Sequence, residues 1–257
     1  MTPKPELIAV NANNFDSLPC CGIKSPTHPG RQQKRSWLQA NAEFGLCGKI
    51  LVAPDGRPSG YIEYLPGEYA WRAVNAAGYL FIHCVWVHSK KHQHRGWATF
   101  MLEDCLAEAR RASLNGVAVL VRDGPWLAGR QLFLANAFEA VATAPPDYQL
   151  LVRKFRKGAN PSFKTGWEQK LTRYRRGLTI VRCNQCPYSA KFTAEIAAVA
   201  EEHHIEPRIV ELNSWRDAQD APTPYAVFSI IHNGQLLADH QISQTRFRNI
   251  LKRLPPT

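Results

Sequence analysis

The sequence predicts an α/β (α+β) protein in two units, a larger one over residues 1–155 and a smaller one over 178–257, joined by a basic linker at 156–177. Three observations carry that expectation. Runs rich in apolar, β-branched and aromatic residues, Tyr79–Val87 and Val117–Val121, lie on either side of a segment with helical spacing, the pattern of a sheet with flanking helices. A second alternation of strand and helix patterns starts afresh at Leu178, after a stretch rich in Lys and Arg. A chain of 257 residues is also long enough to bury the core of one or two domains.

Composition narrows the function. A hydrophobic content of 45% with 21% charged residues describes a globular protein rather than a disordered one. No apolar run approaches the ~20 residues of a membrane span, and the N-terminus lacks the pattern of a signal peptide. A cytoplasmic protein without membrane contact is the expectation. The net charge of +11 is spread over both units and suits an anionic ligand. No zinc-finger, RRM or homeodomain pattern accompanies it, so no nucleic-acid partner is expected. Seven cysteines at irregular spacing argue against a disulfide framework.

Taken in order, Glu6–Val10 reads as a strand. Cys20, Cys21 and His28 follow in a turn-rich segment; they are ordinary thiols and a histidine, or ligands for a soft metal. Arg31–Phe44 has helical spacing and stops at Gly45. Phe44–Ala53 and Pro58–Tyr64 are strands flanking Pro54-Asp55-Gly56-Arg57, a hairpin signal. An aromatic loop with Tyr69 and Trp71 leads into the strand at Tyr79. His83 shares strand parity there with Val85 and Val87, and Cys84 with Trp86. A basic turn at His92–Gly96 opens the next helix. Leu127–Asn136 reads as a helix, and Phe138–Thr143 and Tyr148–Phe155 as the closing strands. The second unit reads as strand, helix from Tyr188 to His203, strand, short helix, β-hairpin and final helix.

Helix starts leave backbone N–H groups unpaired and carry partial positive charge, so the turn at 92–98 suits a phosphate. Gln93-His94-Arg95-Gly96-Trp97-Ala98 resembles the Gln/Arg-x-x-Gly-x-Gly/Ala motif of GNAT-family acetyltransferases, in the strand–turn–helix setting of that family. The resemblance covers about residues 5–155. It implies a GNAT-type mixed sheet and acetyl-CoA as cofactor, with the pyrophosphate on the N–H groups of His94 to Ala98. It also implies that the strand backbone at Val85 to Val87 pairs with the pantetheine arm. The reaction it implies is direct attack of an amine, from a small molecule or peptide, on the thioester.

The sequence departs from the family at the acid and the base. The usual Tyr is replaced by Phe133, and the places of a central-strand Glu are Phe81 and Ile82. His83, Cys84 and Tyr148 are the leading candidate catalytic residues, with Asp123 and Tyr69 as further ones.

In the second unit, Cys183-Asn184-Gln185-Cys186-Pro187 stands at a helix start, and Thr223-Pro224 precedes a hairpin. This resembles the thioredoxin fold. It implies that Cys183 is the more exposed thiol with a lowered pKa, and that Pro224 is the cis-proline beside the cysteines. The pair could cycle as a dithiol, hold a metal with other ligands, or belong to a binding module. The pairing of the two units resembles the YoaP-like acetyltransferases. The expected function is an N-acetyltransferase whose second unit recognises or redox-gates the acceptor. The alternative is a CoA-binding thiol-redox regulator.

Overall fold

Seven strands build the larger sheet. They are β1 (Glu6–Ala9), β2 (Cys47–Val52), β3 (Pro58–Pro66), β5 (Tyr79–Val87), β6 (Gly116–Val121), β7 (Glu139–Ala144) and β8 (Tyr148–Lys154), with a two-residue strand β4 (Val74–Asn75) lying apart between β3 and β5. The order across the sheet is β1-β2-β3-β5-β6-β8-β7, and every pairing is antiparallel except β5 with β6. The structure is a computed structural model describing residues 5–254 except 12, 19, 24 and 26; the Cys20 side chain also lies outside the described residues. The metal reading of Cys20 with Cys21 and His28 therefore falls partly outside them. His28 accepts from the Gly30 amide at 3.2 Å and caps α1 (Pro29–Asn41), and among the described residues no group of three or more His, Cys, Asp or Glu is placed to hold a metal ion.

The helix α1 begins with Pro29, whose missing N–H costs nothing in a first turn. It buries Lys34, Trp37 and Asn41, one stripe at helical spacing, on one face of the sheet. On the other face lies α2 (Trp97–Arg111), with Met101, Leu102, Cys105, Leu106 and Ala109 buried. The helix predicted at 127–136 contracts to α3 (Arg130–Leu134). Trp126 at φ 75° and an extended Gly129 hold the preceding residues off the helical path.

The basic segment after β8 is anchored. Its strand β9 (Ser162–Phe163) pairs with β4, and α4 (Trp167–Leu171) follows. Phe163 and Tyr174 are buried. A second sheet contains β10 (Leu178–Arg182), β11 (Pro207–Glu211), β12 (Phe228–His232) and β13 (Gln235–Ala238), in the order β11-β10-β12-β13. The pair β10/β11 is parallel and the other two pairs are antiparallel. Between these strands run α5 (Ser189–Glu202) and α6 (Trp215–Gln219), and α7 (Gln244–Leu251) follows them.

Alternation along β10 and β12 explains how the sheets associate. Leu178, Ile180, Phe228 and Ile230 pack against Ile196 and Val199 of α5 and Phe247 of α7. Val181 and Ile231 join a cluster with Trp71, Tyr79, Phe81 and Tyr148 of the larger unit. One apolar core therefore runs through both units.

Among the described residues, no helix is long and apolar enough to cross a membrane.

Candidate functional site

Three devices shape the turn before α2. Gly96 adopts φ 77° at the N-cap of α2, a left-handed conformation that glycine takes at no steric cost. A Cβ built there meets nothing within 4 Å, so the protein does not fill the space over the helix start. His94 also has positive φ, at 58°. Gln93 turns back, its Nε2 donating to the Val87 carbonyl at 3.0 Å, and braces the turn against the strand end. Gln93, His94, Arg95 and Gly96 are exposed, Trp97 and Ala98 half-buried. Beneath them His92 bonds Ser59 Oγ at 2.9 Å and stacks on Trp97 with ring centroids 4.3 Å apart.

Before β5 reaches the turn, it and β6 part. Their parallel pairing ends at Ile82↔Val119, although β5 continues to Val87, where Val85 and Val87 pair only with Ile62 and Gly60 of β3. A bulge coincides with the parting. Glu63 opposes Cys84 and Tyr64 opposes Ile82, so His83 is the extra residue. A bulge inserts one residue and reverses the alternation beyond it. Phe81 and His83 face α1, where their rings lie 5.8 Å apart and His83 is 6.1 Å from Trp37, while Val85 and Val87 join Leu80 and Ile82 against α2. Cys84 joins the cluster of Phe15 and Ile50 on the α1 side. The parity expected for His83 with Val85 and Val87 is thus overturned, and His83 and Cys84 share a face.

A cavity of about 460 Å³ opens at the parting, walled in part by His83 and Cys84 of β5, Phe133 of α3, Trp126, and Cys186 and Tyr188 from beyond the linker. Behind it lies a buried polar cluster. Glu63, wholly buried, pairs with Lys34 and accepts from Tyr61 O–H at 2.6 Å and Gln185 Nε2 at 2.8 Å. Lys34 also donates to the Gln185 carbonyl at 2.6 Å, and its ammonium lies 4.2 Å from the Trp37 ring centroid. Arg72 donates to the carbonyls of Trp71 and His83 at 2.7 and 3.0 Å and to Gln185 Oε1 at 3.2 Å. Such a cluster is tolerated in a core because Lys34 and Glu63 offset each other and Arg72 is held by three neutral acceptors.

His83 sits at its edge. Its Nε2 accepts the Trp71 amide at 2.9 Å, so a neutral ring carries its proton on Nδ1, which stands 3.7 Å from Glu63 Oε1. Burial, with Arg72 and Lys34 adding to it, holds His83 well below its ordinary pKa. Burial pushes the Cys84 thiol up to about 12. Tyr148 does not join them. It lines another cavity beside Arg122 and Asp147, with Arg122 Nη1 donating to its hydroxyl at 3.3 Å, and burial raises its pKa.

Two expectations for the second unit fail. Cys183 is fully buried and Cys186 is the more exposed thiol. Burial pushes both up to about 11, outweighing the hydrogen bonds they accept from the Gln185 and Tyr188 amides. The reason is the shared core, which covers this helix start and removes the solvent that a thiolate needs. The Thr223–Pro224 bond is trans; the cis bond among the described residues is Pro145–Pro146. Pro224 instead offers its carbonyl to the Ala73 amide at 3.3 Å, tying its loop to the larger unit.

Sequence reasoning missed Glu63, Lys34, Arg72, Gln185, Trp126 and Tyr188. One signal was available: Glu63 stands alone in the otherwise apolar run Tyr61-Ile62-Glu63-Tyr64-Leu65, where an uncompensated carboxylate calls for a buried cation.

Residues 15–124 match the acetyltransferase (GNAT) family, and residues 208–249 match the YoaP-like family. The chain is 27% identical over 253 residues to the uncharacterized N-acetyltransferase YoaP of Bacillus subtilis (strain 168), covering 96% of this chain and 98% of that one. Among solved structures it is similar to an acetyltransferase from Thermus thermophilus, at 18% identity and TM-score 0.44 over 60% of this chain and 98% of that chain. It is likewise similar to yncA of Salmonella typhimurium, solved with its cofactor acetyl-CoA, at 17% identity and TM-score 0.45 over 62% and 98%. The mixed sheet and the turn before α2 thus lie largely within the segment similar to GNAT-family acetyltransferases, and β11 to β13 of the second sheet lie in the segment similar to the YoaP-like family.

Proposed function

We propose that the chain transfers the acetyl group of acetyl-CoA to an amine of a small molecule or peptide. The observation that carries this reading is the parting of β5 from β6 on the strand that leads into a helix start left open at Gly96. The N–H groups of His94 to Ala98 would hold the pyrophosphate, with Arg95 and His94 adding positive charge. The backbone edge at Val85 and Val87, turned from β6, would hold the pantetheine arm. The cofactor supplies an activated thioester; the chain binds it, orients it and closes the cavity from water.

Residues 1–155 form the catalytic unit in this reading, 156–177 the linker, and 178–257 a thioredoxin-like unit. What supports the last assignment is a parallel strand pair and an antiparallel hairpin in one sheet, with Cys183–Cys186 before α5. Its role here is acceptor recognition. Cys186 and Tyr188 wall the cavity, whereas thiols pushed up to about 11 favour that role over redox gating. His83 and Cys84 border the acceptor site as positioning groups.

Calorimetry with acetyl-CoA tests the reading. Saturable binding, weakened about 100-fold by Gly96→Glu, is expected, because the substitution puts a carboxylate and a strained φ where the pyrophosphate would lie. No binding by the unmodified chain, or undiminished binding by the variant, would overturn it. Transfer of labelled acetyl to amines then separates a transferase from a CoA-binding regulator.

A further inference from the structure

We propose that the acceptor is a weakly basic aromatic amine, of the arylamine class, seated on the wall that Trp126 and Tyr188 form together, against the thiols of Cys84 and Cys186. The inference rests on the acetyltransferase reading and adds the substrate class.

The first observation is the chemistry of the cavity wall. Among its described lining residues none is Asp, Glu, Lys or Arg. The polar groups of Trp126 and Tyr188 are engaged elsewhere: Trp126 Nε1–H donates to the Gln241 carbonyl at 2.9 Å, and Tyr188 O–H donates to the Cys21 carbonyl at 3.0 Å. Both residues thus contribute ring surface, with centroids 5.9 Å apart. Cys21, Cys84 and Cys186 add soft, weakly polar thiols. An alkylamine reaches such a wall as a cation and would lose its hydration with no counter-charge in return. An arylamine is uncharged at neutral pH, because its lone pair is delocalised into the ring, and its flat face suits aromatic walls.

The second observation is that no available base stands among the described residues around the cavity. His83 has committed Nε2 to the Trp71 amide. Glu63 has no exposed surface and is held by Lys34, Tyr61 and Gln185. An alkylammonium would need a proton removed before it could attack; an arylamine nitrogen is already unprotonated. The nitrogen attacks the thioester carbonyl, the N–C bond forms, the C–S bond breaks, and the N–H proton leaves with the sulfur as CoA thiol. No external acid or base is needed for the balance.

The third observation is strain. Trp126 sits at φ 75°, a conformation that costs a bulky side chain free energy and that clusters at functional sites. Its ring is held there against Phe192 at 5.1 Å and beside Tyr188.

The test uses the full chain with acetyl-CoA, products read by mass spectrometry, and p-toluidine and p-anisidine compared with benzylamine and spermidine. The arylamines are expected to exceed benzylamine in kcat/KM by at least about tenfold, although benzylamine is the stronger base. Tyr188→Ala and Trp126→Ala should raise the arylamine KM about tenfold and leave the acetyl-CoA Kd unchanged; Tyr188→Leu and Trp126→Phe repeat the test should either variant fold poorly. A preference for benzylamine or spermidine overturns the proposal, as does arylamine turnover indifferent to both positions. A preference for hexanoyl-CoA over acetyl-CoA assigns the cavity to an acyl chain and also overturns it. Should acetyl-CoA bind without any turnover, calorimetry with p-toluidine on that complex decides, and no binding overturns the proposal while the cofactor reading stands. Failure to bind acetyl-CoA at all removes both.

Discussion

Gly30 is where α1 meets the Cys183–Pro187 turn, and replacing it with alanine probes the union of the two units. A Cβ built on Gly30 lies 1.6 Å from the Pro187 carbonyl oxygen and 2.6 Å from its carbonyl carbon. Since Cβ contacts under 3.0 Å are essentially never seen, backbone must separate from backbone by about 1.4 Å or more. That displacement would carry the 2.6 Å bond from Lys34 to the Gln185 carbonyl beyond hydrogen-bond range. Overpacking costs ~1–3 kcal/mol, and a hydrogen bond from a charged donor adds ~1.5–3 kcal/mol. Alanine recovers at most ~1 kcal/mol of helix propensity. The expected net loss is therefore about 1.5–5 kcal/mol, read from urea unfolding midpoints at unchanged m-value. Cys183 and Cys186 should also react faster with a thiol reagent, because the turn that buries them has been lifted. A Gly30→Ala protein within about 0.5 kcal/mol of the parent, with unchanged thiol reactivity, would refute the close packing from which the loss is derived.

Two further outcomes follow from the same interface. Glu63→Gln leaves the Lys34 ammonium buried without its counter-charge and should cost roughly 3–5 kcal/mol in urea unfolding; Lys34→Met in the same chain should restore most of it, and no restoration would contradict the pairing. Asp239 ties the second sheet to Arg122 at 2.8 Å and to His240 at 2.6 Å. Burial raises its pKa, but the hydrogen bonds from His240 and Arg122 outweigh that and hold it at about 2, below the ordinary 3.8. A depressed carboxylate contributes stability that is present above its unfolded value and lost as pH falls through its folded one. Stability should fall by on the order of 1–2 kcal/mol between those values, after allowing for solvent screening, and Asp239→Asn should flatten the pH dependence of the urea midpoint there.

Much of the architecture was legible because it is written in local patterns. The continuous apolar run at Tyr79–Val87, the hairpin at Pro54–Arg57 and the stripe of α2 each imply their element from neighbours in sequence. The turn at Gln93–Ala98 was legible for the same reason, since its function rests on backbone shape. What escaped was set by distant partners. The bulge at His83 depends on the register of β3, which nothing in the strand's own sequence encodes. Glu63 draws Lys34 from 29 residues away and Gln185 from 122. The thiol pair followed its local rule in sequence, a helix start that favours thiolate, but burial against the other unit reversed the sign. Trp126 and Tyr188 became neighbours only through the packing of two sheets.

The common core also has a consequence during synthesis. Trp71, Tyr79 and Tyr148 all leave the ribosome before Tyr225, Val227 and Ile231, with which they share one apolar cluster. Roughly 80 residues separate Tyr148 from those last partners, so at ~5–20 residues per second the first sheet waits on the order of 4–16 s with only part of that face covered, by α1. A nascent chain in that interval presents a broad aromatic surface to chaperones and to its neighbours on the same message. Cutting the gene after the first unit would make that interval permanent.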